Sequence, residues 1–180
     1  MKKYFAGIAI SIMGLVAALA LPASQVSAAP YCGITWGSGA KSNMTMSGKS
    51  LLNIRTGQHT CYDRMVFDLS GTAKGYSVEY VSEVRTDAKG DIIHFTKSGA
   101  KLQIVVRAAA YDASYNPTYP GIVDAALPGV NLAGYQTFKE AKFAGSFEGQ
   151  TTVGLVVRAR LPFRVFTTDN HVVVDVAHYW

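Results

Sequence analysis

Cys61-Tyr62-Asp63-Arg64-Met65-Val66-Phe67-Asp68-Leu69 decides how the chain is read. Met65, Phe67 and Leu69 fall on one face of an extended chain, with Arg64, Val66 and Asp68 on the other. Period-two alternation among β-branched and aromatic residues marks a half-buried strand, because successive side chains of a strand point to opposite faces. Ser70-Gly71 ends it. The pattern returns as His171-Val172-Val173-Val174-Asp175-Val176. In both stretches a basic or titratable residue, a valine and an aspartate share one face, and the opposite face is apolar. Along a single strand Arg64 and Asp68 stand about 13 Å apart, too far to pair. Each needs a partner on a neighbouring strand, and Asp175 is a candidate for Arg64.

Working outward, strand signals recur over residues 76–81, 92–95, 102–108, 135–143, 151–159 and 163–167, with Gly, Asn and Asp turns between them. None has helical period. Eight or so short strands without an amphipathic helix predict an all-β fold, a single-domain β-sandwich of short antiparallel strands. Ile104-Val105-Val106-Arg107-Ala108 is echoed by Leu155-Val156-Val157-Arg158-Ala159. The two echoes are open to two readings, an internal duplication or the coincidence of valine-rich strands.

Residues 109–134 carry Pro117, Pro120 and Pro128 and fit no strand. A connection longer than about 12–15 residues in a compact domain is usually functional or disordered, and its aromatics argue against disorder. Tyr111, Tyr115 and Tyr119 recur there at spacing four, close after Arg107. Tyrosine offers a flat apolar face and a hydroxyl, which suits sugar rings and peptides. Arg107, Arg158 and Arg164 offer forked donors for carboxylates or phosphates. These six residues are the candidate ligand-binding set. The competing reading is that the tyrosines only pack the loop onto the sandwich.

The chain opens with Lys2 and Lys3, an apolar run over residues 5–21 and the small residues of Val26-Ser27-Ala28. That order predicts a signal peptide over residues 1–28, cleaved after Ala28, and so a secreted or envelope location with no stable membrane span after cleavage. The rival is an uncleaved anchor, since the run nearly reaches the ~18 residues that span a bilayer. Without the two lysines the 17 basic residues fall to 15 against 12 acidic ones, a net charge of +3. No dense basic run interleaved with aromatics exists, which argues against nucleic acid. Cys32 and Cys61 are the only cysteines. In an exported chain they predict one disulfide. Closing a loop of that length contributes on the order of 3–4 kcal/mol. Residues 29–60 are rich in Gly and Ser and read as an arm of loop and short strand, tied by that bridge rather than packed by itself, leaving residues 61–180 as the sandwich domain. The four histidines have no ligand spacing, so neither a metal site nor a cofactor is expected. No nucleophile elbow or triad context is present, so no enzyme is expected.

The opening stretch resembles the C-x-D-R-V-V-F-D-L start of the AMIN-like domain of exported actinobacterial proteins and lipoproteins. Leu161-Pro162-Phe163-Arg164-Val165-Phe166 with His171 to Val176 is similar to that domain's closing strands. The resemblance covers roughly residues 60–180. It implies a sandwich like the AMIN domain found beside cell-wall amidases and secretins, a non-catalytic envelope module. The implied partner is peptidoglycan or another wall polymer such as an anionic glycopolymer; the alternative is a structural module for another envelope protein. His171 stands where the family commonly carries arginine, so an anion contact there would depend on protonation.

Overall fold

The computed structural model describes residues 30–180, and the expected signal peptide lies outside the described residues. A short 3-10 turn over Tyr31–Gly33 leads into nine strands: β1 (Lys41–Asn43), β2 (Leu51–Gln58), β3 (Tyr62–Leu69), β4 (Tyr76–Val81), β5 (Ala100–Val106), β6 (Phe138–Phe147), β7 (Gln150–Val157), β8 (Phe163–Thr168) and β9 (His171–Ala177). They form a five-stranded sheet in the order β1-β4-β5-β7-β6 and a four-stranded sheet in the order β2-β3-β9-β8. Every pairing is antiparallel. The expected all-β sandwich is the fold.

The alternation that marked β3 and β9 builds the core. Met65, Phe67, Leu69, Val172, Val174 and Val176 face inward from the four-stranded sheet. They meet Val78, Leu102, Ile104, Val106, Val153, Leu155 and Val157 from the other sheet. Tyr76 and Tyr80 cross the interior, and their hydroxyls donate to the carbonyls of Val165 and Leu161. At one end the buried Asp63 carboxylate accepts from the Thr137 and Phe138 amides at 2.6 and 3.0 Å and meets His178 Nε2 at 3.1 Å. A buried acid is tolerable only when so supplied.

Two parts of the chain depart from expectation. The arm expected over residues 29–60, of loop and short strand and held by the disulfide alone, is also packed: its eight-residue β2 is an edge strand with Leu51 and Ile54 in the core. A bulge between Leu51 and Asn53 spaces the two inward residues three apart. That breaks the period-two pattern, so the strand is hard to see in sequence. Residues 92–95, expected as a strand, make only an isolated bridge between Arg85 and Ile92. Ile93 and Phe95 instead join Val84 and Ala144 in a small second core against the five-stranded sheet. Gly154 permits this approach, since a Cβ there would lie 2.6 Å from the Phe95 ring and 3.0 Å from Val84. One sheet thus has part of its outer face covered by a loop. The outer face of the other is clothed in its own long side chains.

Candidate functional site

On that outer face β3 and β9 run antiparallel with Arg64 opposite Asp175, Val66 opposite Val173, and Asp68 opposite His171. Two strands that each read basic, valine, aspartate therefore offer each basic residue the other's acid. Arg64 donates to Asp175 through Nε at 2.6 Å and Nη2 at 2.9 Å. From β8, Arg164 faces Asp175 across the register and donates through Nε at 2.8 Å. Asp68 lies between Arg55 at 3.0 Å and His171 at 3.2 Å. The Arg64–Asp175 pair read from the alternation is present.

Asp175 is fully buried, whereas the two arginine side chains are 26% and 30% exposed. Two guanidiniums sharing one carboxylate leave a local charge of about one positive unit. The hydrogen bonds that Arg64 donates to Asp175 push its pKa further up, so Arg64 stays charged. Among the described residues nothing accepts from Arg64 Nη1 or from either Arg164 Nη.

Aromatic rings frame these donors. Arg164 Cζ lies 5.6, 5.3 and 5.1 Å from the ring centres of Trp36, Tyr62 and Phe166. Arg64 Cζ lies 5.2 Å from Tyr62 and 5.5 Å from Phe166. Those separations are within cation–π range. The i, i+2 spacing of Tyr62 with Arg64 and of Arg164 with Phe166 places each ring beside its arginine. Trp36 comes from the arm, where its indole donates to the Tyr31 carbonyl at 2.8 Å. The Cys32–Cys61 disulfide ties this arm to the residue before β3. Chemically the ensemble is a half-buried patch of N–H donors between flat apolar faces.

The six sequence-derived candidates do not come together. Arg164 lies in the patch just described. Arg107 and Arg158 follow β5 and β7, which are antiparallel neighbours, so they sit at opposite ends of the sheet. Arg107 donates to Gln150 and to Met44 Sδ, and Arg158 to the His178 carbonyl. Tyr119 is buried at 3% exposure against Phe143, and burial pushes its hydroxyl pKa up to about 12. Tyr111 and Tyr115 stack with centroids 5.5 Å apart, and Tyr115 is 80% exposed. Tyr111 borders a hollow of about 240 Å3 that Met46, Lys49, Ser50 and Asp112 also line. Tyr62, Phe166 and Arg64 are absent from the sequence-derived set; the i, i+2 spacing of Tyr62 with Arg64 and of Phe166 with Arg164 was the signal.

Among the described residues no group of three His, Cys, Asp or Glu side chains is placed to hold a metal ion, and no helix is long and apolar enough to cross a membrane. No curated protein and no solved structure matches the chain. Residues 49–178 match the family model of the AMIN-like domain, a span that opens just before β2 and closes just after β9. With nearly the whole sandwich inside that match, the chain belongs to the AMIN-like domain family.

Proposed function

We propose that the protein is a secreted, non-catalytic module that binds peptidoglycan or another wall polymer through the outer face of its four-stranded sheet. AMIN-like domains are in general non-catalytic binding modules of the cell envelope. The observation that carries the reading is the patch of Arg64 and Arg164 around Asp175, framed by Trp36, Tyr62 and Phe166. Sugar rings stack on aromatic faces, and carboxylates or phosphates of a polymer take the unused guanidinium N–H groups. The buried Asp175 holds both forks in place before a ligand arrives, which lowers the ordering cost of binding.

The test is co-sedimentation of the oxidised protein, residues 29–180, with insoluble peptidoglycan. Arg164→Gln and Trp36→Ala each leave the Arg64–Asp175 pair intact and are expected to weaken binding by about tenfold, the loss of one charge-assisted contact or one stacking face. A second surface is favoured by one specific observation, the exposed stack of Tyr115 on Tyr111. Loss of binding in Tyr111→Ala/Tyr115→Ala, with Arg164→Gln unaffected, would move the site to that loop. A wild-type protein that stays in the supernatant would favour a module for another envelope protein.

A further inference from the structure

A hollow of about 300 Å3 lies on the opposite sheet, between the loop that follows β4 and the end of β6. Val123, Ala144 and Phe147 give it apolar walls, and Asp87 contributes a carboxylate. Val123 and Phe147 are both about half exposed, so the apolar lining is open to a solute. Most of the other sheltered aspartates have a basic partner: Asp63 has His178, Asp68 has Arg55 and His171, Asp175 has Arg64 and Arg164, and Asp124 has His94 and Lys142, while Asp112 is held by hydrogen bonds within its own loop. Asp87 has no such pair among the described residues. The Thr152 hydroxyl lies 2.8 and 2.7 Å from its two oxygens and carries one hydrogen to give. An ionised carboxylate has about four acceptor positions, so beyond the Thr152 and Gln150 hydrogen bonds, and with the Arg107 charge in the neighbourhood, Asp87 keeps capacity for a further charged donor. Among the described residues no group of three His, Cys, Asp or Glu side chains gathers here to hold a metal ion.

We propose that this hollow binds a primary ammonium group carried on a short hydrocarbon chain. The ammonium pairs with Asp87 while its methylenes lie against the exposed Val123 and Phe147, as a lysine stem lies along apolar surface with its charged head free. Lys89 sits at the rim, and its own ammonium is the competing cation that a ligand must displace. Burial raises the Asp87 pKa above its ordinary value, outweighing the Thr152 and Gln150 hydrogen bonds and the Arg107 charge that act the other way. The site lies on the sheet facing away from the arginine patch and stands independently of the wall-binding reading.

The experiment is an amide NMR titration of the oxidised protein with pentylammonium, Nα-acetyl-lysine methylamide and 1-pentanol. Saturable shifts of the Asp87, Ala144 and Gly145 amides are expected with both amines, and about tenfold or weaker binding of pentanol, which lacks the charge-assisted hydrogen bond. Asp87→Asn keeps an acceptor for Thr152 and is expected to remove the preference for the amine over the alcohol. The blocked lysine binding as well as pentylammonium would identify a peptide side chain as the source; pentylammonium alone would identify a free amine. Equal binding of amine and alcohol, an unchanged preference in Asp87→Asn, or no saturable shift at those amides overturns the proposal.

Discussion

At the scale of single residues, Asp175 is where charge, burial and register meet. It is fully buried and receives both Arg64 and Arg164. Removing one member of a buried ion pair costs about 3–5 kcal/mol, because the remaining charge stays desolvated without compensation. Asp175→Asn is therefore expected to lower unfolding stability in urea by roughly that amount, whereas Arg164→Gln leaves the carboxylate paired with Arg64 and costs less. Two tyrosines of one loop separate in the same way. Tyr119→Ala empties a core site and is expected to cost about 3–5 kcal/mol, while Tyr115→Ala, on an exposed ring, stays within about 0.5 kcal/mol. Thermal denaturation of the two variants side by side checks this. Asp87 supplies a pH dependence. Burial raises its folded pKa, outweighing the Thr152 and Gln150 hydrogen bonds and the Arg107 charge. An acid whose folded pKa lies above its unfolded value binds more protons when folded, so stability falls as pH rises between the two. Asp87→Asn is expected to melt higher than wild type at neutral pH, and the gap to close below the ordinary carboxylate range. A gap constant with pH would refute that account. The Arg64–Asp175 pair was legible in sequence because alternation and reach along a strand demanded a cross-strand partner. The meeting of Arg164 with it was not, since that requires knowing that β8 and β9 are neighbours in register.

At the scale of elements, the most legible were strands with unbroken alternation, β3, β4, β7 and β9. β2 hid because its bulge puts Leu51 and Ile54 on the same face three residues apart. Residues 92–95 misled for the opposite reason: they alternate, yet Ile93 and Phe95 serve a small core beside a sheet and gain no strand partner along their length. The arm joins element to site. Its disulfide spans 29 residues of sequence and brings Trp36 to 5.9 Å from Tyr62. Reduction, or Cys32→Ser/Cys61→Ser, is expected to cost on the order of 3–4 kcal/mol in the chain-entropy account. In a Trp180→Phe background, which leaves one indole, reduction is further expected to shift Trp36 fluorescence to the red as the arm leaves the arginine patch. Emission that stays unchanged on reduction would show that the bridge at Gly37 and Phe163 holds the arm unaided.

At the scale of the molecule, the two sheets are unequal. One is partly covered by the loop before β5, and the other presents the guanidinium and aromatic patch. With a net charge of only +3 once Lys2 and Lys3 are set aside, the proposed attraction to an anionic polymer rests on local rather than overall charge. Binding to wall material is accordingly expected to weaken between 0.1 and 1 M salt, where the Debye length shrinks from about 10 to about 3 Å, yet to keep its stacking component. Complete release by salt would assign the affinity to charge alone. The fold class was readable from composition and periodicity, but which sheet is open was not, because that depends on where a loop without regular structure lies down.

The place of β9 between β3 and β8 has a consequence for the order of events in the life of the chain. β3, the second strand of this sheet to be made, takes as a neighbour the last, and the space between β3 and β8 stays vacant until residues 171–177 arrive. In any passage that proceeds from the N-terminus, off a ribosome or through a translocation channel, the sheet cannot close early. A chain cut after Asn170 is expected to give no cooperative melting transition, however much of its length remains. Lateness of this kind leaves the four-stranded sheet open until β9 has emerged, and makes that strand's arrival the step that closes it.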